Sequence, residues 1–134
     1  MNYKHALFFC ISFAIAPLAS ATPATDAEFA QFKSEGKVNF SAESGKNAWT
    51  REEVSKEGDK RSCTTCHDAD PTKPGKHVKT KKVIDPMATS ANAERLTDQK
   101  KIEKWFLRNC EWTWGRKCTA QEKGDFLKFL MSAK

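Results

Sequence analysis

The string Cys63-Thr64-Thr65-Cys66-His67 constrains this chain more than any other part of its sequence. Two cysteines separated by two residues and followed at once by a histidine form the signal for covalent attachment of a c-type haem. The thiols of Cys63 and Cys66 are expected to bond the two vinyl groups, and the imidazole of His67 is expected to be the proximal iron ligand. The fold must then be built around a porphyrin, and the group on the opposite side of the iron decides the function.

Paired cysteines of this spacing also occur in zinc sites and in thioredoxin-like redox sites. A zinc site would need a second pair of Cys or His ligands, and a redox site would need a strand before the first cysteine and a helix opening at it. The sequence shows neither setting, because residues 44–59 predict a helix that runs into a charged loop. Haem attachment is therefore the favoured interpretation.

Residues 1–21 have the pattern of a secretory signal peptide. A short basic start precedes an apolar stretch over residues 6–18, and small residues occupy positions 19–21. We expect cleavage after Ala21, which would also remove Cys10. The apolar stretch is too short to span a bilayer comfortably, so no stable membrane anchor is expected.

Residues 22–134 have the length of one small domain, which we interpret as a monohaem domain. Export places this domain in an oxidising compartment, the bacterial periplasm. Two cysteines outside the motif, Cys110 and Cys118, are expected to form a disulfide there. It would close a ring over residues 111–117, either to restrain a ligand-bearing loop or only to stabilise the fold.

Lysine and arginine outnumber aspartate and glutamate by 23 to 17, a net charge of +6 that falls to +5 without Lys4. Nucleic acid is excluded as a partner for an exported protein. The basic surface is therefore either simply solvated or docks an acidic redox partner, and we favour docking. The densest basic stretch follows the haem motif and consists of Lys73, Lys76, Lys79, Lys81 and Lys82.

Apolar spacing and capping residues predict an all-α fold of about four helices with no convincing strand. The first helix is expected over residues 26–34 and the second from near Ser41. The last helix is expected to begin at Thr119, which forms a capping box with Glu122. Residues 68–92 contain three prolines and predict a loop that wraps the haem.

A third helix is expected to open at Thr97. Ile102, Trp105, Phe106 and Asn109 follow at positions i, i+3, i+4 and i+7, which lie on one side of a helix. The spacing therefore predicts that Asn109 lies on an apolar helical face.

Three side chains compete for the iron position opposite His67. Met87 offers the thioether of electron-transfer cytochromes, but it precedes the third helix rather than following it. His77 lies among lysines and is interpreted as a surface histidine. Asn109 is either a core amide satisfied by backbone or a haem propionate, or a hard, weak ligand that holds ferric iron and leaves when the iron becomes ferrous.

The element order resembles that of class I cytochromes c: an amino-terminal helix, the haem motif, a wrapping loop, a further helix and a carboxy-terminal helix. In that family a glycine and an aromatic residue on the first helix cross the last helix. Gly45 and Trp49 match the first half of this pattern, and Phe126 or Phe129 could supply the second. The resemblance implies a class I cytochrome c-like fold around one covalently bound haem c.

A more specific resemblance is to the SHP type of oxygen-binding, high-spin cytochrome c, and it covers most of the chain from residue 62 onward. The strings that carry it are Ser62-Cys63-Thr64-Thr65-Cys66-His67, Glu103-Lys104-Trp105, Arg108-Asn109-Cys110, Gly115-Arg116, Cys118-Thr119 and Glu122-Lys123.

This resemblance implies that Asn109 is the sixth ligand of the oxidised haem and leaves on reduction, which exposes a site for O2, NO or CO. It also implies a disulfide between Cys110 and Cys118, and a dihaem cytochrome c as the redox partner. The related cytochrome c'' branch has histidine at the position of Asn109, so this chain falls on the asparagine side. Met87 stands where the family often has leucine, and it stays an alternative distal ligand.

The leading hypothesis is a periplasmic monohaem cytochrome c that receives an electron and binds a diatomic gas. A plain electron carrier with permanent His67 and Met87 ligands is the alternative. An enzyme that reduces peroxide or turns over nitric oxide would need distal acid and base groups, for which the sequence offers Arg108 and Arg116 but no distal histidine. Whether the protein is an enzyme stays open, with electron transfer and gas binding favoured.

Overall fold

A computed structural model describes residues 21–134. Four helices carry the fold, and two hairpins of very short strands project from the segments between α2 and α3. In chain order the elements are α1 (Pro23–Ser34), α2 (Ala42–Thr50), β1 (Glu53–Val54), β2 (Lys60–Arg61), a 3-10 turn (Cys63–Thr65), β3 (Gly75–Lys76), β4 (Val83–Ile84), α3 (Gln99–Trp114) and α4 (Ala120–Ser132). The predicted all-α class with four helices is confirmed, and the antiparallel pairs β1–β2 and β3–β4 are additions that the sequence did not predict.

Local capping chemistry explains where the helices begin. Ser41 caps α2, and Thr119 forms the predicted capping box with Glu122 at the start of α4. The predicted start of α1 at residue 26 is wrong by three residues, because Thr22 caps that helix and Pro23 occupies its first position. Asp98 rather than Thr97 caps α3.

The end of α3 also differs from the expectation. The helix continues through Trp114, so the predicted loop over residues 111–117 is helical in its first four residues. Gly115 ends the helix with φ of 66°, a left-handed conformation that glycine adopts without a steric penalty. Thr113 and Trp114 are buried, so packing against the core extends the helix beyond the point where its polar residues suggested a loop.

Helices α2 and α4 cross closely, and this contact organises the site. A Cβ on Gly45 would overlap the backbone carbonyl of Asp125 and crowd Phe129, so only glycine allows this approach. Trp49 lies one turn further along α2, with its ring centroid 6.2 Å from that of Phe126 and 5.9 Å from that of Phe129. The class I packing pattern is therefore present, and both phenylalanines supply its second half.

Two groups of buried side chains form the core. The first cluster, between α2, α3 and α4, consists of Ala48, Trp49, Cys110, Trp114, Cys118, Phe126, Phe129 and Leu130. The second cluster joins α1 to α3 and α4 and consists of Ala24, Phe32, Ile102, Leu127 and Met131. The haem motif lies beside the first cluster, since Cys63 packs against it.

Candidate haem site

The haem motif begins in a tight 3-10 turn. Ser62 is buried and forms a capping box with Thr65, whose hydroxyl accepts a hydrogen bond from the Ser62 backbone N–H at 3.1 Å. The backbone N–H groups of Cys66 and His67 both donate to the carbonyl oxygen of Cys63, at 3.3 and 3.0 Å. These bonds hold the two thiols and the imidazole in one compact turn.

The imidazole of His67 lies against the indole of Trp49. Their ring centroids are 5.2 Å apart, and the Trp49 Nε1–H donates to the carbonyl oxygen of Asp68 at 2.9 Å. Burial, together with the nearby positive charge of Arg95, lowers the pKa of His67 to about 4. The ring is therefore neutral at physiological pH, which is the state in which an imidazole nitrogen binds iron.

The two motif cysteines are free thiols in different surroundings. Burial raises the pKa of Cys63 to about 12, so this thiol stays protonated. The sulfur of Cys66 accepts a hydrogen bond from the backbone N–H of Val78 at 3.4 Å. Two unbridged thiols beside a neutral, partly buried imidazole are the donor set that a covalently attached haem requires.

Asn109 is exposed on α3, one turn beyond Trp105, which is 48% exposed. Neither side chain is packed in the protein core formed with α1 and α4. The buried residues of α3 are Ile102, Cys110, Thr113 and Trp114, so the row that contacts the protein core passes through Cys110 rather than Asn109. Asn109 is consequently not a core amide, and its side chain is available to a ligand.

The other two candidate ligands, Met87 and His77, lie in the segment between the haem motif and α3. Met87 is partly buried against the first cluster, and its backbone N–H donates to the Pro71 carbonyl at 2.9 Å. His77 lies in the turn between β3 and β4, where its Nδ1 accepts from the backbone N–H groups of Lys79 and Thr80 at 3.2 and 3.1 Å.

Cys110 and Cys118 are joined as a disulfide with 5.6 Å between their Cα atoms. Both are buried in the first cluster, and the bond ties the last turns of α3 to the residue before the cap of α4. Because α3 runs to Trp114, the crosslink closes a short helical end rather than an open loop. The backbone next to Asn109 is thereby held at a fixed point of the core.

The two arginines considered as distal catalytic groups have protein partners. Arg116 donates to Glu122 at 2.8 and 2.9 Å and to Glu53 at 3.2 Å. The pKa of Glu122 is lowered to about 2, because hydrogen bonds from Arg116, the Thr119 backbone and Arg51 outweigh its partial burial. The guanidinium of Arg108 lies 5.2 Å from the ring centroid of Trp105. Arg116 is therefore committed to an ion-pair network.

Comparison with known proteins identifies the family. A family model described as a domain of unknown function, DUF1924, matches residues 35–130. Cytochrome c-type protein SHP from Cereibacter sphaeroides is 44% identical over 89 residues, which are 66% of this chain and 68% of that protein. The chain belongs to the SHP family of c-type cytochromes. The structure of oxidised SHP, an oxygen-binding cytochrome c, matches with a TM-score of 0.72 and 37% identity over 79% of this chain and 94% of that chain.

A second relative of this SHP-family chain is cytochrome c'' from Methylophilus methylotrophus, which is 33% identical over 88 residues, or 66% of this chain and 61% of that protein. Its oxidised crystal structure matches with a TM-score of 0.70 and 25% identity over 83% of this chain and 95% of that chain. The relatives are c-type haem proteins with the same all-α fold, so this SHP-family member carries one haem c, which its thiols and neutral imidazole fit.

Sequence reasoning missed three contributors to the haem site. Arg95 donates to the carbonyl oxygens of Asp85 and Pro86, at 2.8 and 2.9 Å, and so fixes the segment just before Met87. Arg61 is buried two residues before the motif and donates to the Trp112 carbonyl at 3.1 Å, which links the motif to α3. Neither arginine is part of a recognisable motif. The contact of Trp49 with the His67 imidazole likewise has no signal in the sequence near either residue.

The predicted signal peptide over residues 1–21 lies outside the described residues except for Ala21. In the part of the chain that the structure describes, none of the helices combines the length and apolar character needed to span a bilayer.

Proposed function

We propose that this protein is a periplasmic cytochrome c that accepts one electron and then binds a diatomic gas, with Asn109 as a distal ligand that leaves on reduction. When bound, the haem supplies an iron that changes oxidation state and takes a small ligand in its reduced form. The observation that carries the proposal is the exposure of Asn109 on α3, next to the buried and crosslinked Cys110. The relation to SHP, described as an oxygen-binding cytochrome c, supports it.

The amide oxygen of Asn109 has the properties of a ligand that dissociates when the iron is reduced. An amide oxygen is a hard donor, so it favours ferric over ferrous iron and binds more weakly than a thioether or an imidazole in the reduced state. Asn109 is not packed in the protein core, so its side chain can leave by rotation about its own bonds without disturbing that core. The disulfide of Cys110 and Cys118 keeps the helix backbone in place while this happens.

The residues around His67, in contrast, favour a ligand that stays bound in both oxidation states. Trp49 is buried at 4% exposure between α2 and α4, packs against the imidazole, and holds the following residue through the Asp68 carbonyl. Arg95 favours the neutral imidazole. The proposed switch therefore operates on the side of Asn109 alone.

Absorption spectra of both oxidation states, with and without carbon monoxide, test the proposal. We expect a five-coordinate, high-spin reduced spectrum that changes promptly when carbon monoxide is added. Asn109→Ala should alter the oxidised spectrum, whereas Asn47→Ala, at an exposed position of α2, should leave it unchanged. A low-spin reduced spectrum that is indifferent to carbon monoxide would refute the proposal.

Met87 defines the competing function of a plain electron carrier. Its partial burial against the first cluster favours a packing role, so Met87→Leu should preserve both spectra. Loss of a low-spin reduced spectrum in this variant would instead establish a permanent thioether ligand. Steady-state turnover of peroxide or nitric oxide with a supplied electron donor would distinguish an enzyme from a binding protein, and we expect stoichiometric binding only.

The periplasmic location rests on the signal-peptide pattern of residues 1–21 and on the cytochrome c relatives. Amino-terminal sequencing of the exported protein should begin at Thr22. A dihaem cytochrome c is the proposed electron donor.

A further inference from the structure

We propose that the lysine hairpin, residues 73–84, is the docking surface for an acidic redox partner protein and delivers the partner's electron beside Cys66. This inference rests on the proposed electron-accepting function, because a protein that does not exchange electrons would need no such surface. The hairpin consists of β3, β4 and the connecting turn, with Lys73 and Pro74 before them.

The charge of the lysine hairpin is one-sided and accessible. It contains five lysines and no acidic residue, and all five lysines are exposed. Lys79 forms an ion pair with Glu57 at 3.4 Å, but both side chains are more than half exposed, so the pair neutralises little of the field. The other four lysines are Lys73, Lys76, Lys81 and Lys82, and none has an acidic partner among the residues that the structure describes.

Two valines of the lysine hairpin are also exposed. Val83 is 73% exposed and Val78 is 37% exposed. Lys76 pairs with Val83 across the antiparallel ladder, which places their side chains on the same face of the hairpin. Exposed apolar groups rimmed by charge are typical of transient protein interfaces rather than of a solvated loop.

Backbone hydrogen bonds fasten the hairpin to the haem attachment point. The Lys76 N–H donates to the Cys66 carbonyl at 2.7 Å, and the Val78 N–H donates to the Cys66 sulfur at 3.4 Å. Gly75 lies so close to Cys66 and His67 that a Cβ would overlap their backbone. One hydrogen bond therefore separates the exposed hairpin from the sulfur that attaches the haem.

A partner seated on this surface would lose one electron and this protein would gain it, with no covalent bond formed or broken. The only bond change is the proposed release of Asn109 from the reduced iron. An acidic protein fits better than an anionic membrane, because residues 73–84 contain no Trp, Phe or Leu to enter a lipid interface. The direct bond to Cys66 also serves electron exchange and has no use in membrane binding.

Charged inorganic oxidants provide a test that needs no identified partner. The reduced holoprotein is mixed anaerobically with hexacyanoferrate(III), an anion, or tris(phenanthroline)cobalt(III), a cation, and oxidation is followed by stopped flow. The hairpin variant carries three charge reversals, Lys73→Glu, Lys76→Glu and Lys82→Glu. The control carries the same number at exposed positions of α1, α2 and the segment between them, Lys33→Glu, Lys37→Glu and Lys46→Glu.

We expect the hairpin variant to react with hexacyanoferrate about tenfold more slowly than wild type at low ionic strength, and the difference to vanish at high salt. Its reaction with the cobalt complex should not slow. The control should retain most of the wild-type rate. Equal slowing in both variants, or no slowing in the hairpin variant, would overturn the proposal.

Binding provides a second readout that is independent of electron exchange. Retention on immobilised polyglutamate should fall in the hairpin variant and persist in the control. Loss of binding to phosphatidylglycerol vesicles together with unchanged oxidation rates would assign the surface to a membrane and reject redox docking. Carbon monoxide uptake by the same samples tests the proposed function separately, so failure of one does not imply failure of the other.

Discussion

Glu28 is a fully buried residue of α1, and within residues 21–134 neither of its side-chain oxygens has a hydrogen-bond partner. It lies on α1 between Ala24 and Phe32, one turn from each, on the face that packs against α3 and α4. A carboxylate in such surroundings loses its hydration without compensation, so the protonated form is favoured.

The surrounding charges do not stabilise the ionised form of Glu28 enough to offset its burial. Burial, together with the negative charge of Glu103 on α3, raises the pKa of Glu28 from 4.5 to about 7. Lys123 on α4 and the Gln99 side chain on α3 lower the pKa, and Glu35 on α1 raises it slightly. The desolvation of the carboxyl group outweighs the one positive neighbour.

The magnitude follows from proton linkage. Because the pKa is raised in the folded state, the contribution of Glu28 to stability is fully present below pH 4.5 and is lost as the pH rises through about 7. A shift of this size corresponds to about 3 kcal/mol of unfolding free energy. Glu28→Gln removes the titration, so the variant should gain stability relative to wild type by this amount between about pH 4 and pH 8.

Guanidinium unfolding of the holoprotein, followed by far-ultraviolet circular dichroism across this pH range, measures the difference between wild type and Glu28→Gln. Titrations of other groups cancel in that difference, and Glu43→Gln, at an exposed position of α2, should show no such trend. A wild-type to variant difference that stays constant with pH would refute the reasoning, even if the variant is uniformly less stable.

Two further perturbations test the packing and the crosslink. Gly45→Ala should lower the unfolding free energy by about 2 kcal/mol or more in chemical denaturation, because the added Cβ overlaps the Asp125 carbonyl and crowds Phe129. Replacing both Cys110 and Cys118 by serine should lower it by about 2.5 kcal/mol, as expected for a crosslink between residues eight apart.

Each of these variants has an internal comparison. Gly36→Ala introduces a Cβ with no neighbouring atom within 4 Å, so it should cost little, and an equal loss at both glycines would show that close packing is not the cause. The disulfide variant should unfold like wild type that has been reduced with a thiol reagent. A difference between those two samples would point to an effect of the serine side chains themselves.

A helix end could be predicted from the sequence where the residues that determine it are close together in the chain. The beginning of α4 followed from Thr119 and Glu122, which satisfy each other's backbone groups within one turn. The end of α3 did not, because polar residues after Cys110 suggested a loop while the burial of Trp114 against Phe126, at 5.6 Å between ring centroids, extended the helix. Packing between distant segments outweighed local composition there.

The helical spacing alone did not decide which row of α3 contacts the protein core. The spacing of apolar residues in α3 correctly indicated a helix with an apolar side. Packing against α1 and α4 then decided which of its neighbouring rows of side chains is buried. That choice left Asn109 exposed and buried Cys110, and it supports a ligand role that a core amide could not perform.

The sequence by itself determined the cofactor and the family and predicted the attachment residues, because a contiguous motif and several short strings carry that information. Only the tertiary structure decided that Trp49 supports the proximal imidazole, that Glu28 is buried without a partner, and that the lysine hairpin is bonded to Cys66. These features depend on pairs of residues that the chain brings together from different elements. Local patterns report backbone preferences and motif chemistry, whereas burial and long-range contact arise only when the helices pack.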